Sequence, residues 1–212
     1  MPVEKQVLAD FEACEPKIEY WRRRTGEKWR RRDSVLFELA FCLCTPQSPA
    51  ERCRQAVKEL KKEGLLKGGS ARQIAVVLRK HTRFHNNKAA WIVEARGRLG
   101  EVLEAIRELH GAPRTLREWL VKNVKGLGVK EASHFLRNIG LGEQLAILDV
   151  HVVRWMAKNG FAEPKDAKKG LTPKRYLEYE RLFSEVAKQA GLSILELDCT
   201  IWLKGSGSPE IM

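Results

Sequence analysis

Along this chain apolar residues return at steps of three and four rather than in alternation, the spacing that gathers side chains on one face of a helix. "VLFELAFCLC" (35–44), "PAERCRQAVKELKKEG" (49–64), "SARQIAVVLRK" (70–80) and the long "NNKAAWIVEARGRLGEVLEAIREL" (86–109) all carry it. The pattern predicts an all-α fold. Boundary residues agree: Ser48-Pro49 opens a helix that Gly64 closes, Ser70 caps the next, and "GAPRT" parts the long segment from "LREWLVKNV". Loops are expected to be short. There is no internal repeat, and the tail "KGSGSPEIM" is the only Gly/Ser/Pro-rich patch.

Charge sharpens this picture. Thirty-nine Lys+Arg against 27 Asp+Glu give a net charge of +12 over 212 residues, which points to a polyanionic partner, nucleic acid first. The length suits one large domain or two small ones sharing a cleft. No apolar window long enough for a membrane span exists, and the start "MPVEKQVLADFEACEPK" lacks the apolar core of a secretory signal, so a cytosolic protein is expected. Five scattered cysteines (14, 42, 44, 53, 199) fit reduced, buried thiols and supply no local four-cysteine metal site.

The richest chemistry lies in "GLGVKEASHFLRNIG" (126–140). Two helices, "LREWLVKNV" and "KEASHFLRNIG", are joined by "KGLG", whose glycines Gly126 and Gly128 let the backbone turn and approach another molecule. Backbone amides at the start of the second helix form a site for a phosphate, or for a monovalent cation bridging to one. The plain alternative is a tight helical hairpin without a ligand. Lys130 sits in the first turn of that second helix, where the helix dipole opposes a cation. Dipole and partial burial would both favour the neutral amine that a nucleophile needs; otherwise Lys130 is a surface lysine. Nineteen residues on, "AILDVHVVRWM" places Asp149 at a helix start. It reads as an ordinary N-cap, or as a carboxylate facing the lysine and stabilising positive charge on a sugar whose base departs.

A G-Φ-G hairpin, a lysine in its second helix and a downstream aspartate together resemble the helix-hairpin-helix DNA glycosylases. "FCLCTPQSPAERC" resembles the early helix of that superfamily with its glutamine-bearing turn. "RFHNNKAAWIVEARGRL" and "LDCTIWLKGSG" resemble segments of the compact archaeal and thermophile class of 8-oxoguanine DNA glycosylase. The likeness runs from about residue 30 to 205. It implies a single glycosylase unit over 1–212, made of two helical subdomains with the active-site cleft between them and the hairpin at about 115–140.

The resemblance further implies a bifunctional enzyme of base excision repair. It would flip 8-oxoguanine out of duplex DNA, because the sugar carbon is unreachable in the stack. Lys130 would attack that carbon and form a Schiff base, β-elimination would nick the strand, and Asp149 would stabilise the transition state. Gly126, Gly128 and His151 would hold backbone phosphates, and Gln47 would fill the gap left by the flipped base. The lesion pocket would use Phe84, Trp202 and the C-terminal carboxylate, here Met212. On a plain reading Gln47 is a turn residue, and Phe84 and Trp202 belong to the core. No cofactor is implied beyond the monovalent cation at the hairpin. The partner would be double-stranded DNA carrying 8-oxoguanine or abasic sites, bound by a monomer in a prokaryotic cytoplasm.

Three other readings are set apart by residues. Endonuclease III relatives carry a four-cysteine cluster after the aspartate, where this chain has only Cys199. A monofunctional alkyl-base glycosylase would not need Lys130. A non-catalytic helix-hairpin-helix DNA-binding module would need neither Lys130 nor Asp149. Two basic blocks, "WRRRTGEKWRRR" (21–32) and "KKEGLLKGG" (61–69), are candidates for phosphate contact or for solvated faces.

Overall fold

A computed structural model of the chain describes residues 3–207, and every regular element among them is a helix. In order these are α1 (Val3–Thr25), a 3-10 turn (Lys28–Arg30), α2 (Arg32–Cys44), α3 (Ala50–Lys62), α4 (Leu65–Gly68), α5 (Ala71–Leu78) and α6 (His85–Gly97). There follow α7 (Leu99–Leu109), α8 (Pro113–Asn123), α9 (Val129–Asn138), α10 (Val150–Lys158), α11 (Asp166–Lys169), α12 (Pro173–Gln189) and α13 (Ile194–Ser206). They fall into two compact units. The middle unit is residues 27–141, and the terminal unit joins the two ends of the chain, α1 with α10 to α13.

The middle unit is built around α2. Leu39 through Cys44 are each at most 1% exposed, and a helix apolar on all sides must be surrounded. The 3-10 turn, α3, α6, α7 and α9 pack on it. Its one buried acid, Glu38, accepts hydrogen bonds from Lys28 Nζ at 2.9 Å, Arg54 Nη1 at 2.7 Å and Asn138 Nδ2 at 3.1 Å, so the charge is partnered. In the terminal unit, α1 presents Val7, Phe11, Cys14, Ile18, Trp21 and Thr25 at alternating steps of four and three. Cys14 and Ile18 pack with Leu195, Cys199 and Leu203 of α13. Pro16 does not break α1, because it lies on the exposed face, where water can replace the lost helix bond.

The structure departs from the expectations above in two places. The 86–109 segment is two helices, because Arg98 leaves helical geometry (φ −97°, ψ 12°) between Gly97 and Leu99, with its guanidinium bonded to Glu101 and to the carbonyl of Asn123. Nor are all loops short: no helix covers residues 139–149, a stretch that includes buried Leu145 to Leu148. The five cysteines are buried free thiols. Burial pushes Cys53 up to about 11, Cys44 higher still and Cys42 well above the ordinary thiol range, so these thiols are inert.

Candidate active site

The hairpin forms in the middle unit as α8, a turn over residues 124–128, and α9. The turn is closed by Val124 N–H to the Leu120 carbonyl (2.9 Å) and Leu127 N–H to the Val124 carbonyl (3.2 Å). Buried Arg117 of α8 donates to Ser133 Oγ of α9 at 3.1 Å, and that hydroxyl donates to the Val129 carbonyl at 3.0 Å, which fixes the two helices together. The two glycines have different reasons. Gly126 has φ +92°, and a Cβ there would lie 2.5 Å from the Trp91 ring. Gly128 is extended (φ −87°, ψ −179°), and its Cβ would meet only Glu131 Oε2, the end of a flexible side chain, at 2.9 Å.

Gly128 is also the N-cap of α9, and no side chain caps that helix. Its first-turn amides, at the positive end of the dipole, are therefore not taken by a side chain, which suits an anion. Lys130 stands in that first turn with its side chain 26% exposed, and its Nζ is 3.7 Å from Glu131 Oε1. An amine so placed is reachable and only loosely held.

Asp149 is set by the terminal unit. The segment before it, Leu145 to Leu148, is buried and lies in no helix or strand that would take its amides. Three side chains do so instead: Ala146 N–H donates to Glu180 Oε1, Ile147 N–H to Asp198 Oδ2 and Leu148 N–H to Tyr176 Oη, and Tyr176 donates back to the Ala146 carbonyl at 2.6 Å. This saddle delivers Asp149 to the start of α10. There Oδ1 alone accepts both capping bonds, from His151 N–H at 2.8 Å and Val152 N–H at 3.0 Å. One carboxylate oxygen thus caps the helix, and the carboxylate keeps a second oxygen for other work.

His151 follows in the first turn of α10, and its ring lies against Gly205 of α13, where a Cβ would come within 3.3 Å of it. Trp202 is partly buried against the α1/α13 core cluster. Met212 lies outside the described residues. In the middle unit, Gln47 is exposed in the turn after α2, and Phe84, the N-cap of α6, is 51% exposed. These two are the only non-glycine residues with positive φ among the described residues, 54° and 55°. That conformation costs about 1–3 kcal/mol each and persists only where the surroundings enforce it.

Sequence reasoning missed Glu180, Asp198, Tyr176 and Gly205. Only Gly205, a glycine inside a helical run, left a local signal.

Known proteins resemble this chain over most of its length. The family model described as 8-oxoguanine DNA glycosylase matches residues 19–192. The 8-oxoguanine DNA glycosylase/AP lyase of Fusobacterium nucleatum is 40% identical over 179 residues, 82% of this chain and 80% of the relative. That of Thermotoga maritima is 39% identical over 189 residues, 89% and 87% of the two. The crystal structure of the Thermotoga maritima 8-oxoguanine DNA glycosylase superposes with a TM-score of 0.86 at 33% identity, covering 99% of this chain and 98% of that one. A Methanocaldococcus jannaschii 8-oxoguanine glycosylase/lyase, solved with a 15mer DNA containing 8-oxoguanine, gives 0.82 at 27% identity, covering 96% and 98%.

Proposed function

The chain belongs to the 8-oxoguanine DNA glycosylase family, whose members carry glycosylase and AP lyase activities, and we propose that Lys130 and Asp149 carry both steps here. The observation that bears most weight is Lys130 itself: an accessible amine in the first turn of a helix whose N-terminus no side chain caps, behind a glycine turn.

The Lys130 amine attacks C1′ of a flipped 8-oxo-2′-deoxyguanosine nucleotide as the glycosidic bond breaks, and the base leaves with its electron pair and takes up a proton from the attacking amine. Breaking of the C1′–O4′ bond, with the remaining amine proton passing to O4′, opens the sugar ring and gives a Schiff base between Lys130 and C1′. Removal of a C2′ proton then expels the 3′-phosphate and nicks the strand. Asp149 stabilises the positive charge that develops on the sugar, through the carboxylate whose other oxygen holds α10 in place. Gly126 and Gly128 let a DNA phosphate approach the α9 amides, and His151 meets a second phosphate. Gln47 enters the space left by the flipped base, while Phe84 and Trp202 offer aromatic faces to the lesion. The protein acts as a monomer on damaged duplex DNA, alongside the chromosome in the cytoplasm. No helix among the described residues is long and apolar enough to cross a membrane.

The test is borohydride trapping. Incubated with a duplex holding one 8-oxoguanine, the protein should become covalently joined to the DNA and leave a β-elimination product, and an undamaged duplex should give neither. Release of 8-oxoguanine without a trapped adduct would remove the lysine from the mechanism.

A further inference from the structure

The segment "RFHNNKA" contains a lysine that the proposed chemistry does not use. Lys88 is 1% exposed, among the most deeply buried large side chains of the molecule, although an isolated ammonium belongs in water. Burial pulls its affinity for a proton below the ordinary lysine range. The group is nevertheless saturated. Its three donors are met by the Cys44 carbonyl at 2.6 Å, the Pro46 carbonyl at 2.8 Å and Ser48 Oγ at 3.0 Å. Two of these acceptors, Pro46 and Ser48, flank Gln47 on either side. The third is a carbonyl at the C-terminal end of α2, where a cation is favoured.

Ser48 carries the link further. Its hydroxyl oxygen also accepts the backbone N–H of Arg83 at 3.0 Å, the residue immediately before Phe84. On the other side of Phe84, its carbonyl accepts the backbone N–H of Lys88 at 3.1 Å. Lys88 and Ser48 therefore hold Gln47 through both of its neighbours, and Phe84 through the residue before it and through its own carbonyl, at the two residues with φ 54° and 55°. Such a conformation in a glutamine and a phenylalanine needs enforcement, and both residues are exposed while Lys88, which holds the node, is buried.

We propose that Lys88 is a positioning residue for base extrusion: through Ser48 it locks the 45–48 turn and the 82–84 turn into one rigid unit that presents Gln47 and Phe84 together to DNA. The inference rests on the reading of the chain as a base-flipping glycosylase. Lys88 is no nucleophile, because all three of its donors are engaged and none of it faces solvent. Its effect falls on the step that opens the stack and not on the chemistry at the sugar.

The experiment compares substrates that do and do not require extrusion. Lys88→Met keeps an unbranched side chain, one atom shorter, and removes all three bonds. It should lower single-turnover excision of 8-oxoguanine from duplex DNA about 100-fold, the scale of a misplacement near 1 Å. It should also abolish the fluorescence rise of a 2-aminopurine placed beside the lesion. Strand cleavage at a preformed abasic site in single-stranded DNA, with its borohydride adduct, should stay within about 2-fold of wild type, because there is no stacked base to extrude. Ser48→Ala leaves the ammonium and its two carbonyl bonds but frees Arg83, and should give the same split at about 10-fold. This variant decides the matter if Lys88→Met does not fold. Wild-type excision rates on the duplex, or an equal loss on both substrates, would overturn the positioning role. Failure of the wild-type protein to form an adduct on either substrate would instead overturn the catalytic reading on which it stands.

Discussion

Helices α9 and α10 begin in opposite ways, and each carries one of the two proposed catalytic residues. At α9 the N-cap is Gly128, no side chain caps the helix, and Lys130 in the first turn places a cation where the dipole disfavours one. At α10 the N-cap is Asp149, whose Oδ1 takes two amides and whose charge the dipole favours. Viewed as elements of stability, the first start is poor and the second is good. The difference teaches that local stability and function are opposed at Lys130 and aligned at Asp149, so substitutions at the two sites should separate activity from stability differently.

Lys130→Gln gives the largest effect. Borohydride adduct and strand nicking should both disappear, and the folded state should be unchanged or slightly firmer, by up to about 0.3–1 kcal/mol, as a cation leaves the positive end of a helix. Melting curves and a trapping gel on the same preparation check both halves. A persisting adduct, or a marked fall in melting temperature, would break the contrast. Asp149→Asn comes next. Asparagine retains an oxygen for the His151 and Val152 amides, so stability should hold while single-turnover excision drops about 10²–10³-fold. Asp149→Ala should lose the same activity and in addition about 1 kcal/mol of stability in denaturant titration. If asparagine destabilises as much as alanine, the carboxylate is holding the fold through more than its capping oxygen.

What could be read from the sequence follows from how local each device is. The hairpin, Lys130 and Asp149 are spelled within short windows, because a turn, a first helical turn and an N-cap are each settled by a few neighbouring residues. The saddle that delivers Asp149 is not: its amides are met by side chains 28 to 51 residues away, and no periodicity encodes which acid will reach a given N–H. Helix α1 is hard to read from the sequence because Pro16 and dense charge obscure its apolar stripe, which is evident only with α13 packed on it. The break at Arg98 is hidden for the opposite reason, since one bent residue barely shifts the apolar spacing on either side. Lys88 was legible only as a motif letter. Its burial comes from the end of α2 arriving more than 40 residues distant in sequence, as the separations of 40 to 44 residues show.

Effects on stability and DNA affinity, and not on the chemistry at the sugar, sharpen the comparison within α9's own approach, where Gly126 and Gly128 look equivalent in sequence and are not in structure. At Gly126 an added methyl group meets two obstacles together: φ of +92°, which strains any L-residue, and the ring of Trp91 at 2.5 Å, a bulky aromatic rather than the tip of a flexible chain. Gly126→Ala should therefore cost about 2–4 kcal/mol, from left-handed strain and overpacking combined. At Gly128 the backbone is extended, and the atom in the way is a glutamate oxygen free to rotate aside. Gly128→Ala should cost about 0.5–1 kcal/mol, the difference between glycine and alanine at an N-cap. Its methyl group would nevertheless stand beside the amides proposed to receive a phosphate, so DNA affinity should weaken more than stability does. Urea titrations and equilibrium binding to an abasic-site duplex, run on both variants, decide the point: comparable stability losses would mean that the turn needs both glycines for its own geometry, and an unaltered affinity in Gly128→Ala would mean that no phosphate comes close to that position.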